Sequence, residues 1–245
     1  MDIQITTAKD KILSIPVTNG DLIDHFIDPN NCTEIILKQI NEEKIYNYIF
    51  ENEENLTIVD IGANIGIFSV YASGYAKNVY AVEPTPNHFA KLTTFTAPFV
   101  DVIKPINYAI GTHDGTMDFY VSVENPTQNS LISNWRSTDE QKITVETRTL
   151  ETLLKELNVE HVDLIKCDIE GGELFALNEE TVGAVKDKVE CWYIEVHQTD
   201  NTIEHGESVR QNLATLTDVF THCGYGVQQV GFDNLWCWRE ENASN

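Results

Sequence analysis

A short segment of the chain places an acid and two glycines where they could build a ligand-binding turn. Residues 56–61 are apolar or β-branched apart from Asp60, and Gly62 and Gly66 follow closely. This pattern predicts a buried strand that turns tightly into a helix. Glycines let the backbone approach a ligand, and the free N–H groups at the start of the helix point at whatever lies in the turn.

A second carboxylate extends the pattern. Residues 79–82 form another apolar run, and Glu83 closes it about 20 residues beyond Asp60, where nucleotide-binding α/β folds hold the hydroxyls of a ribose. The spacing therefore predicts a nucleoside-binding site. An ordinary strand–helix–strand unit with incidental glycines is the alternative.

Polar side chains stand at or just beyond the ends of several predicted strands, whereas the strand bodies are apolar. In an open parallel sheet these ends share one edge, and ligands bind there. We therefore expect these side chains to converge on one site. They are Asp60, Glu83, Asn107, Asp168, Glu170, Glu195 and His197.

The elements that must position these residues alternate between strands and helices. This order predicts an α/β fold: a mostly parallel sheet with helices on both faces. Residues 225–230 (YGVQQV) and 234–238 (NLWCW), separated by the turn residues 231–233, predict an antiparallel hairpin at the C-terminal end. We expect the ligand-binding domain to span residues 56–240.

Two other segments are expected to border the site. Residues 1–55 are predicted to form an N-terminal lid or wall, with one helix that is capped by Asn31 or Thr33 and runs to about Ile49. Residues 116–147 are predicted to form a flap that faces the substrate, since their middle is long, polar and irregular. A plain surface loop is the alternative.

Composition narrows the class of partner and the compartment. The chain has 245 residues and a formal net charge of −23, which argues against nucleic-acid partners and anionic membrane surfaces. Five cysteines without a Cys-x-x-Cys pair fit neither a disulfide framework nor a thiolate zinc site. With neither a signal-peptide layout nor a membrane-length apolar run in the sequence, we expect a cytoplasmic protein.

Four motifs together resemble the FkbM-type methyltransferases, which depend on S-adenosylmethionine. They are residues 59–66 (VDIGANIG), 81–84 (AVEP), 149–153 (TLETL) and 163–173 (DLIKCDIEGGE). The resemblance covers roughly residues 56–200. Gly172 departs from it slightly, because the family usually has alanine there.

The resemblance implies a fold, a reaction and a set of cofactor contacts. The fold is the Rossmann-like class I methyltransferase fold, a seven-stranded sheet whose last hairpin supplies the antiparallel strand. The reaction is methyl transfer from S-adenosyl-L-methionine to a hydroxyl of a saccharide or another small molecule. The implied cofactor contacts are Asp60, Gly62, Asn64 and Gly66 in the turn, Glu83 at the ribose, Asn107 and Ala109 beside the adenine, and Asp168 near the methionine end.

The acceptor hydroxyl must lose a proton during transfer, so the site needs a base. His197 is the first candidate, because it ends a strand at the mouth and histidine titrates near neutral pH. The alternative is a histidine that only caps the strand. Asp168, Glu170 and Glu195 could instead act as bases, orient ligands or bind Mg²⁺. A metal is not favoured, since acids such as Glu170 and Glu173 also suit the first turn of a helix.

The sequence is also compatible with other functions. A binding module that kept the fold but lost catalysis is the alternative to an enzyme, and the acceptor could be something other than a sugar. Tyr120, Trp135 and Trp192 could stack on a sugar face or belong to the core. The oligomeric state is also open, and a homodimer would be compatible with the sequence.

Overall fold

The computed structural model describes residues 1–7, 9–27, 33–50, 53–122, 129 and 140–240. In that part of the chain, no helix is both long and apolar enough to cross a bilayer. In chain order the elements are β1 (Asp2–Thr6), β2 (Ile12–Pro16), α1 (Gly20–Ile27), α2 (Thr33–Lys38), a π-helical turn (Gln39–Glu43), α3 (Asn47–Phe50), β3 (Leu56–Ile61), α4 (Ile67–Ser73), β4 (Ala76–Val82), α5 (Pro86–Thr96), a 3₁₀ turn (Ala97–Phe99), β5 (Ile103–Ile106), β6 (Ala109–Ile110), β7 (Gly115–Ser122), β8 (Glu140–Arg148), α6 (Leu150–Glu156), β9 (Val162–Cys167), α7 (Glu173–Ala176), α8 (Glu179–Gly183), β10 (Val189–Glu195), α9 (His205–His222), β11 (Tyr225–Val230) and β12 (Asn234–Arg239).

One seven-stranded sheet organises the fold, in the order β11-β12-β10-β9-β3-β4-β5. Neighbouring strands are parallel from β10 to β5, while β12 runs antiparallel to both β10 and β11. The predicted fold class is confirmed: a mostly parallel sheet of seven strands, closed by an antiparallel hairpin. The carboxyl ends of β3, β4, β9 and β10 meet at one edge, as the sequence predicts.

Both faces of the sheet are covered by helices. Ile58 and Val59, consecutive residues of β3, belong to two different hydrophobic clusters, because side chains alternate across a strand. One cluster contains α4, α5 and the N-terminal elements, and the other contains α6 and α9. Burial from both sides explains why every residue of β3 is buried.

The prediction of one continuous helix in the N-terminal segment is wrong, because residues 33–50 form two short helices and a π-helical turn. The helical segment ends at Lys44, whose φ of 54° lies in the left-handed region and whose N–H bonds to the carbonyl of Gln39. A left-handed residue ends the run of helical hydrogen bonds, so α3 is a separate helix. Tyr46 lies edge-on to Phe68 of α4 at 4.9 Å between ring centroids, which anchors this segment on the sheet. Asn31 lies outside the described residues.

A smaller sheet lies beside the central one, in the order β6-β8-β7. β7 and β8 are antiparallel, and β6 is parallel to β8. β7 and β8 form the two ends of the segment 116–147 that the sequence predicts as a flap. Apart from Asn129, the connection at 123–139 lies outside the described part of the chain.

Candidate active site

The turn between β3 and α4 is pressed against the end of β9. Gly62 has a φ of 81°, and a Cβ there would lie 1.8 Å from the carbonyl oxygen of Asp168. The N–H groups of Gly62 and Ala63 both donate to the carbonyl of Val82, at 3.0 Å each. Glycine is needed because a side chain would separate strand ends that meet at this point.

We expect Gly62→Ala to lower the free energy of unfolding by about 3 kcal/mol, since it combines a left-handed conformation with a backbone clash. Gly231→Ala is the matched control. Gly231 has a φ of 66°, but a Cβ at this position would meet no atom within 4 Å, so about 1 kcal/mol is expected there. Urea denaturation followed by circular dichroism measures both losses. Equal losses at the two positions would contradict the close approach.

Glu83, at the end of β4, is held in place by the turn beside it. The N–H of Asn64 donates to its Oε2 at 3.0 Å, and the N–H of Thr85 donates to its Oε1 at 2.9 Å. The hydroxyl of Thr85 also donates to Oε1. Burial raises the pKa of Glu83 to about 7, although these donors lower it. The carboxylate is therefore fixed at the cavity wall with room to accept further hydrogen bonds.

Asn107 and Ala109 follow β5 but have different positions. The side-chain amide of Asn107 donates to the carbonyls of Glu83 and Pro84, at 2.8 and 3.0 Å. Asn107 therefore shapes the segment that carries Glu83 and does not line the cavity itself. Ala109 is buried and lines the cavity, as does its neighbour Tyr108.

Asp60 lies beneath the turn in a buried ion network. It is fully buried, and its Oδ2 accepts a hydrogen bond from the hydroxyl of Ser69 at 2.6 Å. Lys166 Nζ lies 3.7 Å from Asp60 Oδ1 and 3.0 Å from Asp168 Oδ2. Burial raises the pKa of Asp60 above its ordinary value, and the nearby Lys166 offsets part of this rise. Burial alone would lower the pKa of Lys166, but Asp168 and Asp60 raise it well above its ordinary value.

A cavity of about 360 Å³ lies at the carboxyl ends of these strands. Asp60, Gly66 and Asn107 are outside its lining. Gly66, with a φ of 94°, faces α5 instead, since a Cβ there would lie 2.6 Å from Leu92. The predicted site residues that line the cavity are Gly62, Asn64, Glu83, Ala109, Asp168, Glu170, Glu195 and His197.

His197 lies among four carboxylates, three of which face its Nε2. This atom is 3.8 Å from Asp168 Oδ1, 3.7 Å from Glu170 Oε2 and 3.6 Å from Glu195 Oε1. Burial alone would lower the pKa of His197, but Glu173, Glu170 and Asp168 raise it well above its ordinary value. Carboxylates around an imidazole favour its protonated form, so His197 is a weaker proton acceptor here than a solvent-exposed histidine.

The carboxylates differ in their access to the cavity. The side chain of Glu195 is 37% exposed, compared with 26% for Asp168 and 22% for Glu170. The pKa of Glu195 is raised to about 7 by Asp168 and by burial. Glu195 is therefore the carboxylate of this group that a ligand in the cavity reaches most readily.

The side chain of Glu173 points inward, although acids at the start of a helix are usually exposed. It begins α7, but its side chain is buried and its Oε1 lies 2.9 Å from His197 Nδ1. The same oxygen accepts hydrogen bonds from the N–H groups of Ile169 and Gly171, at 3.1 and 3.2 Å. Glu173 thus fixes the orientation of the histidine ring.

The aromatic side chains considered for sugar stacking are not gathered at the cavity. Trp192 is fully buried in the core and packs edge-on against Phe220, which corrects the stacking hypothesis for this residue. Tyr120 is partly buried and does not line the cavity. Trp135 lies outside the described residues.

Sequence reasoning missed several residues that line or support the cavity. Lys166 had a recognisable signal, because a lysine inside an apolar strand needs a buried partner. Tyr46 and His88 had none, since each occupies a position that also suits a helix packed on a core. The missed residues are Tyr46, His88, Lys166 and Glu173.

The chain is similar in sequence to two named methyltransferases. The chain is 28% identical over 127 residues to hexuronic acid methyltransferase AglP of Haloferax volcanii. The aligned region covers 52% of this chain and 51% of that protein. It is 26% identical over 190 residues to methyltransferase sdnD of Sordaria araneosa. That alignment covers 62% of this chain and 73% of that protein. The match thus spans about half the length of the Haloferax protein.

Solved structures also align with the chain. Methyltransferase FkbM of Methylobacillus flagellatus aligns with a TM-score of 0.48 and 17% identity, covering 75% of this chain and 43% of that one. Fibrillarin of Aeropyrum pernix, solved with S-adenosyl-L-methionine, aligns with a TM-score of 0.45 and 16% identity, covering 76% and 66%.

A match to a family profile identifies the protein family of this chain. The sequence profile of the methyltransferase FkbM domain matches residues 60–227, which begin at Asp60 and include every residue placed at the cavity edge from β3 to β10. The chain belongs to the FkbM methyltransferase family, whose members use S-adenosylmethionine.

Proposed function

We propose that this protein is an O-methyltransferase that transfers a methyl group from S-adenosyl-L-methionine to a hydroxyl of a saccharide. One observation carries the proposal. The glycine turn and Glu83 line the same cavity as the carboxylate–imidazole cluster, defined as Asp168, Glu170, Glu195 and His197. A cofactor-binding wall and a group of side chains suited to proton transfer therefore face one ligand-sized space.

The cavity wall fits the cofactor. Asn64 Oδ1 is buried without a hydrogen-bond donor among the described residues, and a bound ligand can supply one. Glu83 would accept from the ribose hydroxyls, and Gly62 and Ala109 would leave room for the nucleoside. Asp168 would lie near the methionine end, while Asp60, Gly66 and Asn107 shape the wall from behind. The cofactor supplies the methyl group.

We assign roles toward the acceptor hydroxyl from the exposure and the charge of the side chains in the cluster. The acceptor hydroxyl must lie close to the methyl group and lose its proton as the new bond forms. Glu195 is placed to receive that proton, since it is the most exposed carboxylate of the cluster. His197 and Glu170 orient the hydroxyl, and Asp168 also bonds to Lys166.

The saccharide assignment rests on the family resemblance and on the name of the Haloferax relative, a hexuronic acid methyltransferase. Two segments outside the central sheet would select the acceptor. Ile36 and Tyr46 from the N-terminal segment line the cavity, as do Phe119 and Asn129 from the flap. We propose the domain division accordingly: residues 1–55 form a wall, 56–240 form the catalytic domain, and 116–147 form its flap.

The proposal is tested by incubating the purified chain with methyl-labelled S-adenosylmethionine and a panel of hexoses, hexuronic acids and non-sugar alcohols. A methyl ether on a sugar oxygen, identified by NMR, supports it. Transfer only to non-sugar hydroxyls would refute the saccharide assignment. Binding of S-adenosylhomocysteine without transfer to any acceptor would favour a binding module.

We expect the affinity for S-adenosylhomocysteine to rise as the pH increases through about 7, because Glu83 must be ionised to accept from the ribose. Hydroxyl donors favour the charged carboxylate, so binding lowers the pKa of Glu83 and releases a proton. Binding is thus weaker at about pH 6 than at about pH 8. Calorimetry across this range measures the effect.

Glu83→Gln supplies the control for this pH dependence. It should weaken binding about tenfold or more at high pH, as expected for loss of a charge-assisted hydrogen bond, and flatten the pH profile. An unchanged profile in this variant would assign the pH dependence to another group.

A further inference from the structure

Five acidic side chains lie close together in the carboxylate–imidazole cluster and the network below it, with one lysine and one histidine among them. A histidine binds a metal ion through a neutral ring nitrogen, so Lys166 is the cation that these ion pairs supply when His197 acts as a ligand. Carboxylates packed together away from water repel one another, and a cation among them relieves that repulsion. The five acids concerned are Asp60, Asp168, Glu170, Glu173 and Glu195.

The spacing within the cluster is that of ligands around an ion. Oxygen and nitrogen ligands that share an ion at about 2.1 Å lie roughly 3–4 Å from one another. His197 Nε2 is 3.8 Å from Asp168 Oδ1 and 3.7 Å from Glu170 Oε2. These distances exceed those of ordinary N–H···O hydrogen bonds. One ligand atom from each of the three residues lies within 4.8 Å of the others.

A residue outside this triad supports the same interpretation. Metal-bound histidines almost always donate their second ring nitrogen to a carboxylate or carbonyl, which orients the first nitrogen toward the ion. Glu173 occupies this position at 2.9 Å from His197 Nδ1. Its other oxygen, Oε2, is buried and accepts no hydrogen bond from the described residues. This buried charge would be stabilised by a nearby dication.

We propose that Asp168, Glu170 and His197 bind a divalent cation of the Mn²⁺ class at the floor of the cavity. Two carboxylates and one imidazole form a mixed oxygen and nitrogen set, which suits Mn²⁺ better than Mg²⁺. Water or the acceptor hydroxyl completes the coordination. The role in catalysis rests on the proposed function: the ion lowers the pKa of the hydroxyl, and Glu195 beside it receives the proton.

The test uses Mn²⁺ alone as the probe, with the full chain and without cofactor or acceptor. Electron paramagnetic resonance counts bound ions, and electron spin-echo modulation detects a ¹⁴N nucleus bonded to the ion. We expect one Mn²⁺ per chain with imidazole ¹⁴N modulation. Glu170→Gln and Glu173→Gln should each weaken the affinity about 10- to 100-fold. Asp233→Asn, an acid lining the same cavity outside the triad, should leave it unchanged.

Two results would overturn the ion site: no ¹⁴N modulation in the wild-type protein, or an equal loss of affinity in Asp233→Asn. His197→Gln should abolish the modulation, and circular dichroism shows whether this variant is folded. If the His197→Gln variant is unfolded, the wild-type spectrum and the Mn²⁺ affinity of Glu170→Gln test the ion site instead. Binding of S-adenosylhomocysteine, measured separately, distinguishes the two proposals. A protein that binds it but not Mn²⁺ loses the ion site and keeps the proposed function.

Discussion

Glu195→Gln is expected to lower kcat by about 10²- to 10⁴-fold, the usual contribution of a positioned base. Glutamine keeps the shape of the side chain but does not accept the proton of the acceptor hydroxyl. Glu195 lies at the end of β10, and its side chain is the most exposed carboxylate of the cluster. Single-turnover kinetics with labelled S-adenosylmethionine measures the loss directly.

Two binding measurements separate a catalytic loss from a structural one. Glu195→Gln should leave the affinity for S-adenosylhomocysteine nearly unchanged, because the glycine turn does not include this residue. The affinity for Mn²⁺ should fall less than in Glu170→Gln, since Glu195 lies beside the proposed ion triad but outside it. Glu190→Gln, on the same strand but paired with Arg239 away from the cavity lining, is the kinetic control and should retain most of the activity. Full activity in Glu195→Gln would remove this residue from proton transfer.

The strands were predictable because their bodies are buried on both faces. A run such as 162–167, which is apolar apart from Asp163 and Lys166, leaves few alternatives to a central strand. Since parallel strands expose their carboxyl ends at one edge, the position of Glu83, Asp168 and His197 at the cavity followed from the order of elements alone. The fold class and the location of the candidate site were therefore accessible from the sequence.

The N-terminal segment was not predictable, because its interruption depends on one backbone conformation. The residues from Thr33 to Ile49 have a helical spacing of apolar side chains, yet Lys44 adopts a left-handed φ. Lysine gives no sequence signal for that conformation, unlike glycine or asparagine. Tertiary packing of Tyr46 and Phe50 against α4 decides the path of the chain.

The roles within the site were also only partly visible. His197 was the first candidate for the base because histidine titrates near neutral pH. The structure surrounds it with carboxylates from three segments, and their combined field depends on distances that spacing along the chain does not give. Glu173 resembled an ordinary acid at a helix start, but α7 turns it inward.

Lys166→Met is expected to lower the free energy of unfolding by about 3–5 kcal/mol, the usual cost of removing one partner from a buried ion network. The side chain of Lys166 is 6% exposed, and its charge lies between Asp60 and Asp168. Methionine fills a similar volume but leaves both carboxylates without their cation. Urea denaturation measures the loss.

Lys188→Met is the matched control, because Lys188 pairs with Glu160 at the surface, at 2.9 Å. A loss below about 1 kcal/mol is expected there. The double variant Lys166→Met/Asp60→Asn should recover part of the stability, since it removes the fully buried carboxylate that lost its partner. If Lys166→Met cost no more than Lys188→Met, the network would not stabilise the fold. The acids beneath the cavity would then have to be neutral, and the case for a second cation above them would weaken as well.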